Sequence, residues 1–189
     1  TERGSASLYS HLGEFYTLPL EAPFTPERYI QAIRAVIQGG FKVCIIDSIS
    51  HEWDRKRGIL EIHESMSGNS FTNWSKLTPR HNAFVNAIIE APIYVITAGR
   101  AKQDYVLTDK NGKMVPEKVG LKTVTREGFD YEVTLSFDLD IKHWATASKD
   151  RTGLFMDKPQ FKISQETGII IKQWCESGKE SPLNNIVKA

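Results

Sequence analysis

The 189-residue chain has the composition of an ordinary globular domain, with 40% hydrophobic and 25% charged residues. These values exclude disordered, collagen-like and coiled-coil proteins. The formal net charge is only +1, so the uniformly basic surface of a simple nucleic-acid binder is excluded and any basic site must be local.

The apolar runs are shorter than the roughly 18 residues that suggest a membrane span. The cysteines, Cys44 and Cys175, suggest neither a disulfide framework nor a zinc site. We expect a cytoplasmic protein without a membrane segment.

The first half of the chain alternates predicted helices and strands. Residues 23–40 have apolar side chains at helical spacing, and the run Phe41–Asp47 has the composition of a strand covered on both faces of a parallel sheet. Residues 71–91 and 93–97 repeat this order, which is typical of βαβ units. Pro79 marks either a kink in the second helix or its first turn. The expected buried face of that helix consists of Phe84, Val85, Ile88 and Ile89.

The second half of the chain has a different pattern. Asn111-Gly112 is a favourable hairpin turn, and residues 131–139 and 142–148 are predicted to form two further antiparallel strands. A helix is predicted over residues 164–176. Residues 48–70 are polar and irregular, with a short helix expected around residues 58–66. The whole pattern predicts one α/β domain over residues 1–176, followed by a flexible tail over residues 177–189.

The first predicted strand ends in Asp47 and Ser48. Ligands of open α/β sheets bind at the carboxyl ends of the strands, and P-loop ATPases use such an aspartate near Mg²⁺. The alternative is an aspartate that caps the following turn.

Several segments together resemble one family. In order along the chain they are Thr1–Ala6, Val43–Ser48, Ile93–Arg100 and Ser148–Gly153. The chain resembles the AAA-type ATP-binding proteins of phages and mobile elements, which are related to the RecA and DnaB-helicase groups. The resemblance implies a RecA-like three-layer core with a mainly parallel sheet, extended by C-terminal antiparallel strands. It also implies ATP and Mg²⁺ as cofactors.

The resemblance assigns roles at the ends of the strands. Glu2 matches the acidic residue that activates water, although a solvated terminal residue is the alternative. Asp47 would hold Mg²⁺ through water, with Ser48 beside it. Thr97 and Arg100 match the polar sensor of the γ-phosphate, unless Arg100 is an ordinary surface arginine.

Two basic features imply partners. Lys149 and Arg151 resemble the Lys-x-Arg-x-Gly finger that reaches the nucleotide of a neighbouring subunit, which implies a homo-oligomeric ring or filament; a solvated Lys-x-Arg is the alternative. The segment from Arg100 to Arg126 carries seven basic and three acidic residues, a local charge of +4. RecA-like proteins have a DNA-contacting loop here, so single-stranded DNA is the expected partner, against the alternative of a solvated hairpin. The candidate contacts are Lys102, Tyr105, Lys110, Lys113, Lys118 and Lys122.

The phosphate-binding motif Gly-x-x-x-x-Gly-Lys-Ser/Thr does not occur in the 189 residues. In the family this loop precedes the segment that matches Thr1–Ala6, so we expect it upstream. The expected function is ATP hydrolysis in DNA recombination, annealing or replication of a phage or mobile element. The alternative is a non-catalytic RecA-like binding or assembly module. The scattered histidines indicate no zinc site, and the four tryptophans are expected to pack rather than to bind bases.

Overall fold

The computed structural model describes residues 5–110 and 113–178. Glu2, the predicted turn at Asn111-Gly112 and residues 179–189 of the expected tail lie outside this part. The chain divides into two compact units, residues 1–132 and residues 133–189.

The first unit begins with a short 3-10 helix, Ser5–Leu12, and contains five α-helices and four strands among its described residues. In chain order they are α1 (Pro26–Gln38), β1 (Val43–Asp47), α2 (Ser50–Asp54), α3 (Ile59–Ser65), α4 (Ser70–Ile89), β2 (Tyr94–Ala98), β3 (Ala101–Lys110), β4 (Lys113–Thr123) and α5 (Phe129–Glu132). The second unit contains β5 (Leu135–Leu139), β6 (Ala145–Asp150) and α6 (Gln165–Glu176). No helix in the described ranges combines the length and the apolar character that a membrane span requires.

The mixed architecture of helices and strands is confirmed, and the sheets are small. Strands β1 and β2 pair in parallel, with Val43 opposite Tyr94 and Asp47 opposite Ala98. Strands β3 and β4 pair antiparallel, as do β5 and β6. Each of the three sheets has two strands within the described ranges. The expected three-layer core with a mainly parallel sheet is not shown, because the parallel sheet has only two strands in the described ranges.

The parallel pair is covered on one face and open on the other. Cys44 and Ile46 are buried, whereas Val43 and Ile45 are 49% and 69% exposed. Ile96, in register with Ile45, is 55% exposed. The continuous apolar run correctly predicted the strand, but its expected burial on both faces is wrong for this chain.

The core of the first unit lies between α1 and α4. The rings of Tyr29 and Phe84 are 5.1 Å apart and both residues are buried. Ile33 and Leu77 are buried as well. The prediction that Ile89 belongs to this buried face is wrong, since Ile89 is the last residue of α4 and is 45% exposed.

Helix α4 begins earlier than Pro79. The side chain of Asn69 accepts hydrogen bonds from the backbone N–H groups of Phe71 and Thr72, which otherwise lack helical partners. Pro79 therefore lies inside one continuous helix of 20 residues rather than in its first turn.

The second unit is built on the β5–β6 hairpin. Phe137 packs edge-on against Phe155 and Phe161, with ring centroids 5.1 and 5.5 Å apart. The two predicted antiparallel strands and the final helix are confirmed, although the second strand begins at Ala145 rather than at residue 142 and ends at Asp150. The expected start of the first strand at Tyr131 is wrong, because Phe129–Glu132 form the short helix α5.

Candidate functional site

The carboxyl ends of β1 and β2 bring the first group of candidate residues to one edge. Asp47 is the last residue of β1, lies opposite Ala98 and is exposed. Ser48 follows through a cis peptide bond and is only 2% exposed. The backbone carbonyl of Ser48 accepts a hydrogen bond of 3.2 Å from the hydroxyl of the buried Tyr29. The residue Asp47 is therefore exposed to solvent at this edge, while Ser48 is held on the inner side.

Thr97 lies on the same edge but on the other face of the sheet. It is in register with Ile46, which is buried, whereas Asp47 is in register with Ala98. Because successive side chains of a strand point to opposite faces, Thr97 and Asp47 are on opposite faces. Thr97 and Asp47 are therefore close together at the same edge of the sheet, but their side chains do not point toward each other.

Arg100 is fixed to the short helix α2, which starts two residues after Ser48. Its backbone N–H donates to the hydroxyl of the buried Ser50 at 2.9 Å, and its Nη2 lies 2.7 Å from Oδ1 of Asp54. The Nε atom of Arg100 is buried without a hydrogen-bond partner in the described ranges. An arginine held by these two contacts has a defined position at the end of the sheet.

The backbone next to Arg100 is closely packed and has no space for a side chain at Gly99. A Cβ atom added at Gly99 would lie 2.4 Å from Cγ2 of Thr123. The backbone N–H of Val124 donates to the carbonyl of Arg100 at 2.7 Å. The end of β4 is therefore packed against the segment that carries the candidate sensor.

The candidate nucleic-acid residues fall into cross-strand pairs of the β3–β4 hairpin. The register pairs Lys102 with Lys122, Tyr105 with Lys118 and Lys110 with Lys113. Lys122 also lies 3.3 Å from the carboxylate of Glu127. The antiparallel pairing expected on either side of Asn111-Gly112 is confirmed, with β3 beginning at Ala101 and β4 ending at Thr123.

The second group of candidates, Lys149 and Arg151, lies in the second unit. Lys149 is near the end of β6 and half-buried, and Arg151 is exposed just beyond the strand. The backbone N–H of Arg151 donates to the carbonyl of Thr134 at 3.0 Å, which extends the hairpin ladder. The Lys-x-Arg segment is therefore held by backbone pairing.

Asp150, between the two cations, organises the loop that follows. Its Oδ1 accepts from the backbone N–H groups of Thr152 at 2.7 Å and Gly153 at 3.1 Å. Its Oδ2 accepts from those of Phe155 at 2.7 Å and Met156 at 3.0 Å. Desolvation alone would raise the pKa of Asp150, but the hydrogen bonds from the Thr152 side chain and from these backbone groups hold it well below its usual range. Nothing in the sequence pattern singled out Asp150.

We expect the Asp150→Asn variant to lose about 1.5–3 kcal/mol of stability at neutral pH, since Nδ2 cannot accept the bonds now made by Oδ2. A lowered pKa in the folded state gives stability that is present above the ordinary value of 3.8 and is lost as the pH falls below it. The difference between wild type and variant should therefore shrink between pH 7 and pH 2 in urea titrations. Asp157→Asn, an exposed neighbour, is the control. An Asp150→Asn deficit that is the same at both pH values would contradict this assignment.

Among the first group of residues, Asp47 has the carboxylate that could take part in holding Mg²⁺. No group of three or more His, Cys, Asp or Glu residues that could hold a metal ion occurs in the part of the chain that the structure describes. Magnesium usually keeps several waters and takes one or two carboxylates together with phosphate oxygens. The single exposed carboxylate of Asp47 fits that kind of binding.

Comparisons with known proteins identify no relative. No family model, curated protein or solved structure matches the chain.

Proposed function

We propose that the chain is part of a RecA-like P-loop ATPase of the phage and mobile-element type, acting in DNA recombination, annealing or replication. The observation that carries the proposal is the edge formed by β1 and β2. There the exposed carboxylate of Asp47 ends a parallel strand, and the anchored guanidinium of Arg100 follows the neighbouring strand. Open α/β sheets bind ligands at this edge.

The open face of the β1–β2 pair supports the same proposal. Parallel strands are normally covered on both faces, because their crossover connections place helices there. Val43, Ile45 and Ile96 remain substantially exposed on one face of this pair. Further strands and helices of the same protein, including the phosphate-binding loop and its helix, would complete such a sheet.

The residues at this edge would have separate roles in binding Mg²⁺ and ATP. Asp47 would hold the water shell of Mg²⁺, and Arg100, whose side chain is 38% exposed, would offer its guanidinium to the γ-phosphate. Ser48 and Thr97 act from the inner side of the edge, as supports rather than direct ligands. Glu2, outside the described ranges, would orient the attacking water.

The partners belong to the proposal as well. Lys149 and Arg151 act on the nucleotide of a neighbouring copy in a ring or filament, since a guanidinium stabilises the charge of the transferred phosphoryl group. The paired basic residues of the β3–β4 hairpin contact the phosphates of single-stranded DNA. The second candidate, a non-catalytic RecA-like module, is favoured by one observation, the lack of a phosphate-loop motif in the 189 residues.

We expect the 189-residue chain alone to bind Mg·ATP weakly, with a dissociation constant above about 1 mM. The binding free energy would then be weaker than about −4 kcal/mol. The backbone N–H groups and lysine of a phosphate loop supply most of the contacts to the β- and γ-phosphates, and the chain has no such motif.

Isothermal titration calorimetry of this chain, and of the longer protein with its upstream segment, tests the proposal. Micromolar affinity in the longer protein together with weak binding by the chain alone supports it. Tight binding by the chain alone would show that its site does not need a phosphate loop. Binding without any hydrolysis in the longer protein would favour the non-catalytic module.

A further inference from the structure

A buried pair of ionisable side chains joins α2 to α4. Glu52 is fully buried and His81 is 3% exposed. Nδ1 of His81 lies 3.1 Å from Oε1 and 3.0 Å from Oε2 of Glu52. The two residues are 29 positions apart in the chain, so the contact joins segments that are distant in sequence.

Aromatic rings pack against the histidine of this pair. The His81 ring packs edge-on against Trp53 at 5.3 Å and against Phe84 at 6.4 Å, and Trp53 stacks on Trp74 at 5.9 Å. Burial raises the pKa of Glu52, against the lowering effect of the hydrogen bond from His81. A buried polar pair of this kind adds little net stability compared with apolar residues of similar size, but it accepts few alternative geometries.

Helix α2 contacts Arg100 as well as His81. Helix α2 contains only five residues, and it carries both Glu52 and the two side chains that bind Arg100, namely Ser50 and Asp54. The backbone N–H of Ile49, just before α2, donates to the carbonyl of Ala98 at 3.0 Å. A helix of five residues is too short to be stable by itself, so its position depends on tertiary contacts.

We propose that Glu52 and His81 are positioning residues, which hold α2 in the one placement that fixes Arg100 at the edge of the parallel sheet. The pair secures α2 from the α4 side, and Ser50 and Asp54 transmit that placement to Arg100. The sensor role of Arg100 rests on the proposed function, whereas its placement by the Glu52–His81 pair does not.

Amide hydrogen exchange of the 189-residue chain, followed by NMR without nucleotide, tests the placement. The reporters are the N–H groups of Ile49 and Arg100, and the reference is the N–H of Tyr94, which donates to the carbonyl of Lys42 at the far end of the same sheet. In Glu52→Met, a change of similar volume, both reporters should exchange roughly tenfold faster or more relative to Tyr94, because α2 opens locally.

Two further variants separate positioning from general packing. In Glu52→Gln the amide can still donate to Nδ1 of His81, so the reporters should return to within about threefold of wild type. Arg80→Gln is the matched control, because it removes the exposed Arg80–Glu27 pair next to His81 on the same helix. This control should leave the reporters unchanged relative to Tyr94.

Three results would overturn the proposal. They are unchanged reporters in Glu52→Met, equal acceleration of the reporters and of Tyr94, and a Glu52→Gln protein that behaves like Glu52→Met. If Glu52→Met does not fold, His81→Leu and His81→Asn make the same comparison, since the asparagine amide can replace Nδ1. Because no nucleotide is present, a negative result here is distinguishable from failure of the ATPase proposal.

Discussion

The Asp47→Ala variant of the longer protein is expected to lose roughly 10²–10³-fold in the rate of Mg·ATP hydrolysis. Asp47 ends β1 at the proposed ligand-binding edge of the sheet and is exposed, so in the proposed site its carboxylate would contact the water shell of Mg²⁺. Steady-state phosphate release, measured over a range of Mg²⁺ concentrations, gives the effect. Partial recovery at high Mg²⁺ would locate the loss in metal binding.

Asp130→Ala provides the matched control for this experiment. Asp130 is an exposed carboxylate of the same unit, on the short helix α5. Its replacement should leave the rate unchanged. Equal rates for wild type and Asp47→Ala would remove Asp47 from the site and return it to the role of a turn residue.

The Arg151→Ala variant is expected to lose roughly 10³–10⁵-fold in hydrolysis rate, the range found when an arginine finger is removed. Arg151 is exposed directly after β6, and Asp150 orders the loop that follows it. Replacing a solvated surface arginine would leave the hydrolysis rate almost unchanged, so the size of the effect decides between the two roles. Arg34→Ala, on the exposed side of α1, serves as the control.

Mixing experiments test whether the finger acts on a neighbouring copy. Arg151→Ala retains its own nucleotide edge, and Asp47→Ala retains its finger, so mixed oligomers should regain part of the activity. Native mass spectrometry should establish that mixed oligomers form. Absence of recovery in such oligomers, or full activity of Arg151→Ala alone, would show that Lys149 and Arg151 are ordinary surface charges.

Local patterns were sufficient to predict the main elements of the fold. Apolar residues at helical spacing predicted α1 and α4, and the two short apolar runs predicted β1 and β2 with Asp47 at a strand end. The expected packing role of the tryptophans is confirmed for Trp53 and Trp74, which stack on each other. These features depend on neighbours within a few residues, which a single sequence contains.

The contacts that organise the site depend on residues far apart in sequence. Helix α2 is short and polar, so periodicity did not reveal it, and the Glu52–His81 contact spans 29 positions. The opposite faces of Asp47 and Thr97 follow from the register of β1 and β2, which a single strand does not specify. The exposed face of the parallel pair was not predictable either. An apolar run indicates that both faces of a strand are suited to burial, but it does not show which elements cover them.

Paramagnetic relaxation by Mn²⁺·ATP is the most direct test of the nucleotide edge. The longer protein, titrated with Mn²⁺·ATP in place of Mg²⁺·ATP, should show early broadening of the backbone amide signals of Asp47, Ile49 and Arg100. Signals of Val43 and Tyr94, at the other ends of the strands about 13 Å away, should broaden later. Broadening that starts at those amino ends, or that spares the Asp47 edge at saturating Mn²⁺·ATP, would contradict the proposal that this edge holds the metal-bound nucleotide.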